Sequence, residues 1–195
     1  RKPFTQGLGL ENINVKVDNL VRVPINEYFQ TNIQNVFPIG DDVESPIFAH
    51  KAEKEGVALA EYLSGHEIHF DHNAISSVIY THTEVASVGK TEQQLKDAGV
   101  EYKVGLFPLT ANSIARPNLD AYEGFFKILA DKKTDRILCE HIIDPNAGDL
   151  IHELVIAVEY GVSSEDIARA SHAHPSVLEA IKKAALAAYF KPIYS

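Results

Sequence analysis

The stretch GFFKILADKKTDRILCEHII, Gly124 to Ile143, decides the fold. Two runs rich in Phe, Ile and Leu flank the charged spacer DKKTD, which reads as two β-strands joined by a hairpin loop. Upstream, SSVIYTH, EVASVGK and VEYKVGLFPL carry the same strand texture. Between the second and third of these, TEQQLKDAG predicts a short helix, with Thr91 as its cap and Gly99 as its end. Downstream, three helical stretches follow: AGDLIHELVIAVEYG, SSEDIARAS, and a segment opening at Pro175. SSED has the Ser-x-x-acid form of a capping signal, with Asp in place of the usual Glu or Gln. Strands followed by helices predict an α+β unit, an antiparallel sheet with helices on one face.

The first third reads differently. INVKVDNLVRVPIN alternates around Asp18-Asn19 and predicts a β-hairpin. NVFPIGDD predicts a strand entering a loop. After Pro46 a helix is expected, with Phe48, Ala52, Gly56, Ala60 and Leu63 near one face and close packing at Gly56. The polar stretch SGHEIHFDHNAIS reads as a linker, so the boundary between two regions is placed at residues 70 and 71.

With 195 residues, 45% hydrophobic and 23% charged, the composition is that of a soluble globular protein. No apolar run approaches the roughly 20 residues of a membrane span. A net charge of -9 argues against nucleic acid as a partner. One cysteine, Cys139, excludes an intrachain disulfide and fits a reducing compartment. There is no methionine, even at position 1, and RKPFTQGLGLENI has no signal layout, so a fragment or processed product is expected.

The candidate chemistry centres on HAHPSVLEA, His172 to Ala180. Proline suits the first turn of a helix, which would put His174 at or just before the N-cap. Glu179 could then orient one ring nitrogen and leave the other free for proton transfer near pH 7. On spacing alone, a capping histidine beside a solvated glutamate is the commoner explanation. His66, His69 and His72 form H-x-x-H-x-x-H, but without cysteines or a second ligand pair they read as a polar linker, and no metal is expected. Gly40-Asp41 is a strand-end turn where ligands can bind, although no Gly-rich phosphate loop accompanies it. Cys139 reads as a packed strand residue.

From end to end the sequence resembles the C-terminal portion of the dihydrolipoamide dehydrogenases, within the flavin disulfide reductase family. The matching runs include RKPFTQGLGLE, NVFPIGD, AHKAEKEGVALAEYL, SVIYTHTEVASVGKTEQQLK, FPLTANSIA, KILADKKTDRIL, HIIDPNAGDLI and SSEDIARASHAHPSVLEA. The resemblance implies a homodimer that uses FAD and NAD. Residues 1–70 would be the remainder of an FAD-binding α/β domain, and residues 71–195 an interface or dimerisation domain. It implies that Gly40 and Asp41 approach the flavin's ribityl or ribose portion, and that Ile47, Phe48, Ala49 and His50 run beside its ring system at a helix start. It assigns His174 as catalytic base and Glu179 as the carboxylate that orients it, acting across the dimer on a redox-active cysteine pair. The implied partners are the lipoyl domains of 2-oxo acid dehydrogenase complexes or of the glycine cleavage system. The implied location is the mitochondrial matrix in a eukaryote and the cytoplasm otherwise. The family's Gly-rich FAD fingerprint, cysteine pair and NAD domain are not in this sequence, so this chain alone is expected to be inactive. Pro38, Ile47, Phe48, Thr83, Ile114, Cys139, Asp144 and Ser176 depart from the family's usual residues. Two rival readings are a dimerisation module without a retained ligand, and the same portion of a related reductase that acts on another disulfide.

Overall fold

The computed structural model describes residues 2–44, 46–115 and 123–190. The chain forms two compact units, Arg1–Phe70 and Asp71–Ser195.

The second unit is built on a five-stranded antiparallel sheet. Its strands are β1 (Ser77–Ile79), β2 (Glu84–Gly89), β3 (Tyr102–Pro108), β4 (Phe125–Asp131) and β5 (Ile137–Asp144), in the order β1-β2-β5-β4-β3. The β4–β5 hairpin is closed by its own turn chemistry. Asp131 Oδ1 accepts from the backbone N–H of Lys133 and Thr134 and from the Thr134 hydroxyl, and Asp135 takes a left-handed φ of 62°.

Alternation along these strands sorts the two faces. Phe126, Ile128 and Ile142 pack with Ala86 and Val88 into the main core. Over them lie α3 (Ala147–Leu150), α4 (His152–Tyr160), α5 (Ser164–Arg169) and α6 (Glu179–Tyr189), which contribute Ala147, Leu154, Ile167 and Ile181, with Ile151 between α3 and α4. Gly105 lets α6 come close, because a Cβ there would lie 1.9 Å from the carbonyl oxygen of Ala184. The other face is not bare. Helix α2 (Glu92–Asp97) puts Leu95 against Leu129 and Cys139, a second and smaller core that the expectation of helices on one face leaves out. The two predicted capping signals form full capping boxes, Thr91 with Gln94 and Ser163 with Asp166.

In the first unit the main element is α1 (Ala49–Leu63). The expected hairpin is not formed: among the described residues the region holds one isolated bridge, Val23 to Val43. Asp18 explains why. Its Oδ1 accepts from the N–H of Leu20 and Arg22, and its Oδ2 accepts from the Arg22 side chain, so a side chain takes the donors that a ladder would use. Asn32 does the same upstream, bonding Lys16 N–H and the Asn14 carbonyl. The expected strand before Gly40 is also absent. Pro38 has no N–H to give, and Gly40–Asp42 turns as a 3-10 helix.

The predicted inner face of α1 is corrected as well. The buried residues are Lys51, Glu55, Ala58 and Leu59, whereas Ala60 and Leu63 are exposed. The space that an apolar stripe would claim is taken by an ion pair. Lys51 Nζ lies 3.2 Å from Glu55 Oε2, with both side chains fully buried. At Gly56 an added Cβ would meet Ile39 Cδ1 at 3.4 Å, an ordinary contact, so the helix passes Ile39 without needing glycine there. Among the described residues no helix is long and apolar enough to cross a membrane.

Candidate active site

His174 lies in the irregular segment between α5 and α6. The expected helix start at Pro175 is not observed: α6 begins at Glu179, with Leu178 as its cap residue. His174 is therefore five residues ahead of the helix rather than at its N-cap. The reason is local. The Ser176 hydroxyl donates back to the Ala173 carbonyl at 2.6 Å, and the Ser176 N–H donates to Glu179 Oε2 at 3.2 Å. These bonds close a turn before the helix begins. Asn112, itself buried, donates from Nδ2 to the Ser176 carbonyl at 3.0 Å and holds the turn from outside.

This framework brings the two sequence candidates together. His174 Nδ1 lies 3.0 Å from Glu179 Oε1 and 3.1 Å from Oε2. A carboxylate only accepts, so Nδ1 carries the proton and Nε2 of the neutral ring presents a lone pair. The His174 side chain is 73% exposed and that of Glu179 is 24% exposed. The hydrogen bond from His174, joined by that from the Ser176 N–H, holds the Glu179 carboxyl below its usual range. Glu179 therefore stays anionic through the range where histidine ordinarily titrates. The pair is an accessible, oriented proton acceptor.

In the first unit, the remaining candidates are distributed around the start of α1. Asp41 and Ile47 line one cavity of about 340 Å³, together with Asn19, Leu20, Arg22 and Val43. That volume is at the low end for small-ligand sites. Gly40, Phe48, Ala49 and His50 do not line it. Gly40 is buried beneath the turn with a positive φ of 78°. Phe48 caps the helix in extended conformation, its ring stacked on His50 at 5.2 Å, and Ala49 is the first helical residue.

Sequence reasoning missed the residues that hold this turn. Lys51 Nζ donates to the Gly40 carbonyl at 2.7 Å, and Glu55 Oε2 accepts from the Gly40 N–H at the same distance. One buried ion pair thus grips both sides of the glycine that precedes Asp41. The i,i+4 spacing is visible in the sequence, but such spacing usually marks a solvated pair, and burial cannot be read from it. Asn112 was missed in the same way, because its partner is 64 residues away. Among the described residues no group of three His, Cys, Asp or Glu side chains is arranged to hold a metal ion.

Residues 75–185 match the pyridine nucleotide-disulphide oxidoreductase dimerisation domain. The chain belongs to the pyridine nucleotide-disulphide oxidoreductase family. This oxidoreductase-family chain is 55% identical over 189 residues to the mitochondrial dihydrolipoyl dehydrogenase of Caenorhabditis elegans, which covers 97% of the chain and 38% of that relative. It is 56% identical over 194 residues to the mitochondrial dihydrolipoyl dehydrogenase of Pisum sativum, which covers 100% of the chain and 38% of that relative. The chain therefore spans well under half the length of the curated relatives it matches. Its fold matches the crystal structure of LpdA from Mycobacterium tuberculosis with a TM-score of 0.87. That match covers 94% of this chain and 40% of that one, at 22% identity, and bears on fold alone. The α+β sheet read from the sequence is the sheet of this oxidoreductase family's dimerisation domain.

Proposed function

We propose that this chain is the C-terminal part of a dihydrolipoyl dehydrogenase, and that His174 and Glu179 are its proton-transfer pair. The observation that carries the reading is the contact between His174 Nδ1 and the Glu179 carboxylate, which leaves Nε2 exposed. The identity of about 55% to named dihydrolipoyl dehydrogenases, running the length of the chain, supports dihydrolipoamide as the substrate.

In this mechanism Nε2 of His174 accepts the proton of a dihydrolipoyl thiol. The resulting thiolate attacks a sulfur of the enzyme's redox disulfide and forms a mixed disulfide, releasing the other sulfur as thiolate. The second lipoyl thiol passes its proton to that released thiolate and attacks the lipoyl sulfur of the mixed disulfide, closing lipoamide; the second enzyme sulfur leaves as a thiolate beside the protonated His174, which completes the reduced dithiol. Glu179 remains anionic and stabilises the imidazolium that forms. Bound FAD supplies the electron relay from dithiol to NAD. In the first unit, Asp41 and Ile47 on the cavity wall would contact the cofactor, and Gly40, Phe48, Ala49 and His50 would shape the turn and helix start beside it. The second unit, residues 71–195, serves as the dimerisation domain, and residues 1–70 complete the FAD-binding domain. The active form is a homodimer in which the pair serves the partner subunit's disulfide. The thiols belong to lipoyl domains of 2-oxo acid dehydrogenase complexes or of the glycine cleavage system. The names of the relatives support a mitochondrial location.

The test is turnover of the full-length enzyme. His174→Gln is expected to lower kcat with dihydrolipoamide by roughly 10²- to 10⁴-fold, the usual worth of a positioned acid-base group. Glu179→Gln keeps a hydrogen-bond acceptor but loses the charge, so a smaller fall is expected. Both variants should retain the wild-type far-UV circular dichroism. Unchanged kcat in both would remove the base assignment.

A further inference from the structure

Two residues before the proposed base, a second histidine meets a second glutamate in the opposite environment. The His172 side chain is 5% exposed, against 73% for His174. Its Nε2 lies 2.9 Å from Glu153 Oε1 on α4, and its Nδ1 lies 3.3 Å from the Ala170 carbonyl at the end of α5. That carbonyl also accepts from Lys182 Nζ of α6 at 2.8 Å. The ring is thus held between α4 and the end of α5, and α6 reaches the carbonyl that it meets.

The segment they hold needs such an anchor. Residues 171–178 contain neither helix nor strand, so no backbone ladder sets the direction in which His174 points. The bonds of Ser176 and Glu179 shape the turn locally, and His172 is what ties the first part of the segment to α4.

A second carboxyl, that of Glu140, lies near Glu153. Glu140 sits on the helix-covered face of the sheet between its cross-strand neighbours Val88 and Ile128, fully buried, with neither carboxyl oxygen hydrogen-bonded. Burial first, then the nearby charge of Glu153, push its carboxyl well above the usual range. Burial and the neighbouring Glu153 thus both favour the neutral form of Glu140, while Glu153 presents its Oε1 to His172.

We propose that His172 and Glu153 form a positioning pair that fixes the reach of His174 toward its thiol substrate. This rests on the function proposed above. A misplacement of about 1 Å at a reacting group can cost 10²-fold in rate, so a tether two residues from the base is a lever on turnover.

The experiment uses the full-length enzyme and steady-state kinetics with dihydrolipoamide, at a temperature well below unfolding. His172→Ala should lower kcat by about 10- to 100-fold with KM little changed. His172→Gln, whose amide N–H can still reach Glu153, should recover most of the loss. Because the contact of His174 with Glu179 is intact, the pH at which kcat falls on the acid side should not move in His172→Ala; only the plateau drops. Glu153→Ala removes the tether from the other end and relieves Glu140 of a like charge, so it tests the role even where His172→Ala does not fold. Adding Glu153→Ala to His172→Ala should cause little further loss. Wild-type kcat in Glu153→Ala, or no recovery in His172→Gln, would overturn the positioning role. The two readings separate cleanly. If His174→Gln leaves turnover unchanged, the base assignment itself falls; if His174→Gln is crippled while Glu153→Ala is unaffected, only the positioning pair falls.

Discussion

Glu140 and Cys139 are neighbours in the chain, and the pleat of β5 sends them to opposite faces, each into an apolar setting that keeps it uncharged. For Glu140 the folded state holds a proton that the unfolded chain releases above about pH 4.3. Stability therefore falls as pH rises above that point, by about 1.4 kcal/mol per pH unit, until the buried carboxyl ionises. Glu140→Gln removes this dependence. It should be close to neutral near pH 4 and increasingly stabilising toward pH 8, measured by urea unfolding across that range; an equal difference at both ends would exclude a proton-holding Glu140. For Cys139, burial pushes the thiol up to about 12. It is an inert packing residue, as its apolar run suggested. Glu140 escaped notice because RILCEHII looks like one apolar run with polar interruptions. Counting by twos from Ile142 would have placed a carboxylate in the core. The contact of His174 with Glu179 was legible because both partners lie within one short stretch, whereas Glu153 and Asn112 come from distant elements that spacing cannot reach.

At the scale of elements, the strands and short capped helices of the second unit followed the sequence closely, because alternation and capping residues are local signals. Helix α1 was found, but its inner face was read wrongly. An apolar stripe through Phe48, Ala52, Gly56, Ala60 and Leu63 lost to one carrying Lys51 and Glu55, since the Gly40 turn offers both an N–H and a carbonyl that need buried partners. The start of α6 was misplaced for a related reason: Ser176 and Glu179 satisfy the first donors within a turn, so the helix starts four residues after Pro175. The ion pair on α1 yields a sharp expectation. Lys51→Met leaves Glu55 buried without its cation, one of its oxygens already lacking a hydrogen bond. Such a broken pair costs about 3–5 kcal/mol. Lys51→Met with Glu55→Gln should recover part of that loss, because the uncompensated charge is gone and the glutamine oxygen can still accept from the Gly40 N–H. Chemical denaturation of both variants decides it. A loss below about 1 kcal/mol in the single variant would mean that the pair is solvated and does not hold the turn.

For the whole molecule, the division of chemistry matters more than the division of structure. The reaction proposed above needs three things: a base, a disulfide that accepts the electrons from the dithiol, and a route from that disulfide to NAD. This chain holds the hydrogen-bonded pair of His174 and Glu179 proposed above as the base, but of sulfur it has one cysteine and no methionine. That cysteine is fully buried on the α2 side of the sheet and held protonated, so it can neither form an intrachain disulfide nor offer a thiolate. A count of sulfur residues sets this outcome, which is why composition revealed it before any element was assigned. The 195-residue polypeptide, prepared alone, should therefore show no reduction of NAD by dihydrolipoamide above the enzyme-free rate, followed as NADH absorbance. Supplying FAD should not change this, because the missing step is thiol exchange and precedes any electron relay. Turnover by the 195-residue polypeptide that disappears in its His174→Gln variant would show that the base works without a protein disulfide and would overturn the mechanism proposed for it.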